Sequence, residues 1–405
     1  MKYIYLLCIL IIVQLEGNES KEDKLPITFG VRPYYLIAGM KESLLKAQLK
    51  RCEKNDFTMN TFSISHRGAP LQFPEHTKAS YMAGMRMGAG IMECDITFTK
   101  DKQLVCRHDQ CDLQRTTNIL LTPLAEKCSE TFSAYNPITH EPAHAKCCTS
   151  DITLKEFHSL EGKMDGENPK AKNIKEFINA TPSFRTDLYA NDGGVLMDLN
   201  QSIDLFHKYN RKMTPEIKIP QVAMPFHGFT QKDFIDAIID TFRSKRISFN
   251  DIYIQSFNLN DILYLIKKYP NLAKNSIYLV ENFDKNFVND IKQLAFLKKE
   301  GIKTIAPPIW ALLTMNSNNQ IVPSIYAKAL KKYGFKIITW SLERSEITQG
   351  EKEEWYYQSI NKAIYSNSSI MEILYVLDKD VGISGIFSDW PATVSYYANC
   401  FKKKL

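Results

Sequence analysis

The sequence predicts an α/β protein built as a TIM-like (β/α)8 barrel with a small insertion after the early strands. Three observations carry that reading. Strand-like and helix-like segments alternate along most of the 405 residues, which leaves an open doubly wound sheet or a closed eight-stranded barrel. Chemically interesting residues recur near the C-terminal ends of the strand-like runs: His66, Glu93 and Asp95, Glu216 and Lys218, Gln255, Glu281, Trp340 and Asp389. A doubly wound sheet would gather them at one switch point, so the dispersed pattern favours the barrel. Finally, the chain has no G-x-G-x-x-G or Walker loop to mark a nucleotide site.

The elements follow in order. Lys2 precedes an apolar run from Tyr3 to Val13, short for a membrane span and of the right length for a secretory signal. Residues 1–19 therefore read as a signal peptide, although the small-residue cleavage rule is poorly met; a short anchor is the alternative. Cys8 lacks a lipoprotein cleavage pattern, so no lipidation is expected. Residues 20–60 are a polar lead-in. The barrel is expected over 61–398, and 399–405 form a basic tail.

FSISHRG reads as a strand ending in a polar site, and HTKASYMAGMRMGA as a helix with Tyr81, Met85 and Ala89 on its buried side. IMECDITF alternates like a strand, so Glu93 and Asp95 share a face and Cys94 points the other way. QLVCRHD is a further short strand ending at His108 and Asp109. Residues 110–190 then break the rhythm with four cysteines, several prolines and a polar stretch, the mark of an inserted subdomain. A helix near 196–210 restores the alternation. It is followed by the strand KMTPEIKI, a helix over 231–245, the strand DIYIQSF, the helix LNDILYLIKKY and the strand SIYLVE. Next come the helix FVNDIKQLAFLKKEG, the strand KTIAPP, the helix PSIYAKALKKYG with its terminal glycine, and the strand FKIITWSLE. A long crossover over about 351–381, the strand GIFSD and the helix PATVSYYANCF complete the series.

Hydrophobic content of 44% and charged content of 24% suit a globular core. A net charge of +6 is only mildly basic, with no nucleic-acid tail, so no nucleic-acid partner is expected. Past the signal lie Cys52, Cys94, Cys106, Cys111, Cys128, Cys147, Cys148 and Cys400. An even set in an exported chain points to disulfides without giving their pairing. No paired C-x-x-C knuckles support zinc.

Carboxylates can bind a hard cation, arginine and lysine can hold an anion, and two histidines can move protons. His66, Arg67, Glu75, Glu93, Asp95, His108, Asp109, Glu216 and Lys218 therefore suggest phosphodiester hydrolysis. HRGA, PEHT, ECDITFTKD, CRHD, PEIK and DIYIQSF, in that order, resemble the glycerophosphodiester phosphodiesterase family over most of 61–398. The late pieces ITWSLERSE and GISGIFSDWPATVSYYANC resemble a longer, exported branch.

The resemblance implies a TIM-like barrel and one divalent cation, Ca2+ or Mg2+, held by Glu93, Asp95 and Glu216. It implies His66 and His108 as the catalytic acid–base pair. Arg67 and Lys218 are expected to clamp phosphate, their alternative being simple pairing with site carboxylates. Gln255 and Trp340 are expected to line the substrate pocket, with Phe257 packing a wall. Glu75 and Asp109 support the site: Glu75 holds a cation-bound water or an arginine, and Asp109 orients a site residue or caps a turn. His76 stands where the family often has asparagine and is expected beside the ligands or facing solvent. Asp389 reads as a helix cap before Pro391.

The implied activity is hydrolysis of a small glycerophosphodiester to glycerol 3-phosphate and an alcohol, through a cyclic phosphate or by direct attack of water. The alternatives are a sphingomyelinase D-like or lysophospholipid phosphodiesterase, and an inactive exported glycerophosphate-binding protein. The mature chain is expected to be periplasmic or secreted, with no stable membrane span.

Overall fold

The computed structural model describes residues 25–190, 193–347 and 354–403. The expected signal peptide and part of the basic tail lie outside these residues. Eight parallel strands close into a barrel: β1 (Asn60–Ser65), β2 (Ala89–Phe98), β3 (Lys212–Ile217), β4 (Gln255–Ser256), β5 (Ile277–Leu279), β6 (Thr304–Ala306), β7 (Lys336–Leu342) and β8 (Gly385–Ser388). Each pairs with its successor, and β8 pairs with β1 through Ser65 and Ser388. The helices after them are α1 (Lys78–Arg86), α2 (Leu199–Lys208), α3 (Gln231–Ser244), α4 (Leu259–Lys268), α5 (Val288–Lys299), α6 (Ile325–Lys332), α7 (Ser369–Val376) and α8 (Pro391–Cys400).

Local chemistry starts these helices where the sequence places them. Thr77, Asn258 and Ser324 accept from backbone N–H groups in the first turns of α1, α4 and α6. Asp198 with Gln201 and Thr230 with Asp233 form reciprocal caps on α2 and α3. The predicted α1 is too long. Gly88, at φ 83°, turns the chain after Arg86, so Ala89 opens β2 instead of extending the helix.

Two apolar layers result. An outer layer between strands and helices includes Phe62, Tyr81, Ile96, Phe206, Ile238, Leu265 and Leu330. A smaller plug inside the barrel joins Ile64, Ile91, Ile277, Leu279, Ala306, Ile338, Trp340 and Phe387. Alternate residues of a strand share a face. Glu93 and Asp95 therefore continue the inward row begun by Ile91, and His66 continues that of Ile64.

The lead-in is structured, with helices over Arg32–Ala38 and Leu44–Arg51. Cys52 ties it to Cys400 of α8. After β2 the chain turns back as an antiparallel strand, Leu104–Cys106, bound to β2 by Cys94–Cys106. The insertion then runs to α2. It has its own apolar cluster around Leu113, Ile119, Phe157 and Phe177, and two crosslinks, Cys111–Cys148 and Cys128–Cys147.

Candidate active site at the barrel mouth

Strand register assembles the acidic centre. Asp95 of β2 pairs with Glu216 of β3, which pairs with Gln255 of β4. Neighbours in register on parallel strands face the same way, so these side chains form one inward row with Glu93 one layer away. Glu93, Asp95 and Glu216 are all buried and bring carboxylate oxygens within 4.8 Å of one another. Burial, then Asp95 and Glu216, push Glu93 well above the usual carboxylate range. Burial likewise raises Glu216 to about 8, against the pull of Lys218. Three carboxylates crowded out of water repel one another, and a divalent cation would relieve that repulsion. Asp95 Oδ1 and Gln255 Oε1 are buried without a hydrogen-bond partner, as suits oxygens available to a hard cation.

Each predicted residue has definite neighbours. Arg67, at φ 53°, donates from its backbone N–H to Glu93 Oε2 at 2.8 Å. Its guanidinium meets Glu75 Oε2 at 3.1 Å and Asp95 Oδ2 at 3.6 Å. Gly68, at φ 100°, allows this turn, because a Cβ there would lie 2.7 Å from the Ser80 backbone. Lys218 Nζ lies 2.7 Å from Glu216 Oε1. Burial opposes the lysine charge, but Glu216 and Asp95 hold it above the usual range. Gln255 Nε2 donates to Glu93 Oε1 at 2.8 Å.

His66 Nδ1 lies 2.5 Å from Asp389 Oδ1, and His108 Nδ1 lies 2.9 Å from Asp109 Oδ2. Burial, then Arg67, lower His66 to about 4 and His108 to about 3. Both imidazoles are thus neutral near pH 7. Asp109 is the hydrogen-bond partner of His108.

One cavity of about 570 Å³ joins these groups. His66, Arg67, Glu75, Glu93, His108, Asp109, Glu216, Lys218 and Gln255 line its charged side. Phe257, Leu279, Trp340, Trp355 and Tyr356 line an apolar side, and Glu281 sits exposed at the rim. Trp340 is both packed and pocket-lining: Nε1 donates to Ala306 O at 2.8 Å, and its ring stacks on Trp355.

His76, expected beside the ligands or facing solvent, takes the first of these places: it is fully buried, with Nε2 3.0 Å from Asp95 Oδ2 and Nδ1 2.8 Å from Tyr81 OH. One expectation needs correction. Asp389 does not cap α8. The residue in the cap position is Trp390, without a side-chain cap bond, while Asp389 engages His66, Arg185 and Arg344. Sequence reasoning also missed Arg344, which reaches Glu75 Oε2 at 3.4 Å and Asp165 Oδ2 at 3.8 Å. Its place just past β7 was the available signal. Arg185, Arg115 and Asp165 come from the irregular insertion, where no periodicity marks them.

A (β/α)8 barrel with a buried acidic trio able to hold a cation, two imidazoles and paired basic groups at its C-terminal mouth has the layout of a barrel enzyme site. The chain belongs to the Glycerophosphoryl diester phosphodiesterase family, whose profile matches residues 66–393. It is 42% identical over 243 residues to an "Extracellular protein" of Arthroderma benhamiae, covering 59% of this chain and 99% of that one. It is 23% identical over 417 residues to glycerophosphodiester phosphodiesterase GDPD6 of Arabidopsis thaliana, covering 98% and 97%. A crystal structure from Silicibacter pomeroyi, assigned as a glycerophosphoryl diester phosphodiesterase, shares the fold with a TM-score of 0.54 at 15% identity, covering 88% and 97%.

Proposed function

We propose that this chain hydrolyses small glycerophosphodiesters to glycerol 3-phosphate and an alcohol, using one Ca2+ or Mg2+ held by Glu93, Asp95 and Glu216. The observation that carries the reading is that Glu93 and Glu216 line one cavity with His66, His108, Arg67 and Lys218, with an Asp95 oxygen within 4.8 Å of theirs. When bound, the cation supplies positive charge opposite a phosphate oxygen.

The chain's own groups do the rest. Arg67 offers guanidinium donors to phosphate oxygens and Lys218 a compact charge. One imidazole takes the proton of the attacking hydroxyl, from substrate glycerol or from water, and the other, neutral in the free protein and protonated beside the bound phosphate anion, gives that proton to the departing alkoxide. Gln255 holds a ligand oxygen or Glu93 in place. Trp340 and Phe257 present an apolar wall to the substrate.

Export to the periplasm or the medium belongs to the same proposal. It is supported by the apolar run over 3–13 and by four cysteine pairs beyond it, a usage suited to oxidising compartments. Among the described residues, no helix is long and apolar enough to cross a membrane.

The test is turnover of glycerophosphocholine with and without chelator, following glycerol 3-phosphate and choline together. The reading requires both products and their loss on chelation. Chelator-insensitive turnover, or release of phosphocholine, would overturn it. The apolar side of the cavity also favours a second reading, in which the alcohol carries an acyl chain. Faster turnover of lysophosphatidylcholine than of glycerophosphocholine would select it.

A further inference from the structure

Asp389 follows β8, and its Oδ1 meets His66 Nδ1 at 2.5 Å. Both side chains are buried. The other carboxylate oxygen, Oδ2, accepts from Arg344 Nη1 at 3.1 Å and from Arg185 Nη2 at 3.3 Å. Arg344 comes from the loop after β7 and Arg185 from the insertion, so two cations from separate parts of the chain converge on one oxygen. Burial works against the negative charge, yet Arg344 and His66 bring Asp389 down to about 2.

An ionised carboxylate can only accept a hydrogen bond, so the facing Nδ1 must donate. A neutral imidazole carries one proton. With that proton on Nδ1, Nε2 is left with its lone pair. The ring has little freedom to exchange the two nitrogens. His66 N–H donates to Ser388 O at 3.1 Å, tying its backbone to β8, and Phe387 packs edge-on to the imidazole with centroids 6.2 Å apart.

We propose that Asp389 is a positioning residue for His66: held by Arg185 and Arg344, it fixes the proton on Nδ1 and leaves Nε2 to exchange a proton with the substrate. This rests on the proposed proton-transfer role of His66. It also connects the crosslinked insertion to the catalytic centre through Arg185. His108 has a comparable partner in Asp109, but that pair is far more open, with side chains 32% and 35% exposed.

The direct test labels histidine with 15N and reads the two ring nitrogens of His66 in the folded, unaltered protein. A His66→Asn variant assigns the signals. The expected pattern at neutral pH is a protonated Nδ1 and a bare Nε2. The reverse tautomer, or an even mixture, overturns the proposal. This measurement needs neither cation nor turnover. Normal turnover by His66→Asn would therefore defeat the proton-transfer reading separately, whatever the tautomer.

Asp389→Asn offers a donor in place of an acceptor-only group. Its kcat should fall on the order of a hundred- to ten-thousandfold with KM within about threefold, and its ring protonation should shift toward Nε2. Arg185→Met leaves Arg344 in place and should lower kcat roughly tenfold. Unchanged kcat and ring-nitrogen signals in either variant overturn the clamp. If Asp389→Asn does not fold, Arg185→Met and the unaltered protein still decide.

Discussion

The two sides of the barrel mouth are built on the same scaffold but in opposite physical styles. The ends of β1 to β4 carry His66, Arg67, Glu93, Asp95, Glu216, Lys218 and Gln255, nearly all buried and most charged. The ends of β5 and β7, with the loop after β7, present Leu279 and the rings of Trp340, Trp355 and Tyr356, which pack on one another. Packing favours the folded state on the aromatic side. On the charged side burial opposes it, since Glu93 and Glu216 are pushed upward and His66 and His108 downward from their usual ranges. Unfavourable burial of this kind is retained where chemistry needs poised groups.

The acidic trio should give the largest effect. Glu216→Gln should lower kcat at least about a thousandfold and abolish the response to added cation. In chelator the same variant relieves one repelling carboxylate but leaves the buried Lys218 without its ion-pair partner, so it should melt below the parent only if that pair outweighs the repulsion. Lys218→Met in chelator separates the two contributions.

The insertion, which covers the charged side, should depend on its crosslinks. Removing Cys128–Cys147 by a double alanine change should lower the insertion's stability by about 3 kcal/mol. Faster amide exchange around Phe157 and Phe177, with Trp340 fluorescence unchanged, is the expected signature. Exchange spreading equally into the barrel would show that the two units unfold together.

Acid should distinguish the sides next. His66 sits near 4 when folded, against an ordinary 6.5. Its contribution to stability is complete above about 6.5 and is lost as pH falls toward 4, because the unfolded chain takes up the proton first. By pH 5 the loss should reach about 2 kcal/mol. Urea midpoints at pH 7 and pH 5 check this, and His66→Asn should remove the His66 share of the difference while that of His108, lowered to about 3, remains. An equal slope in the variant would place the titration elsewhere.

The smallest effect is expected from the aromatic side. Trp355 is 42% exposed and forms part of the cavity wall. Trp355→Ala should raise KM about three- to fivefold and leave kcat within about twofold. A fall in kcat without a change in KM would move this residue into the chemistry.

Much of the fold was legible because its signals are local. FSISHRG, IMECDITF and PEIK show apolar runs ending in polar groups, and alternation alone puts Glu93 and Asp95 on one face. The α1 boundary failed because MRMGA continues a helical pattern, which only the backbone turn at Gly88 interrupts. The motif residues His66, Arg67, His108, Glu216 and Lys218 all reach the cavity. Arg344 was within reach of the strand-end argument and was overlooked. Arg185 and Asp165 were not, since an irregular segment carries no period from which direction can be read.

By itself, the sequence determined the order of strands and helices, the inward parity of the acidic residues and the stock of groups available for chemistry. These depend on neighbours a few residues away and on the fixed periods of strand and helix. Tertiary structure alone decided the partnerships. Barrel closure brings His66 to Asp389 across 323 positions, and Cys52 pairs with Cys400 across 348. A carboxylate that reads locally as a helix cap became the partner of an imidazole because β8 closes against β1.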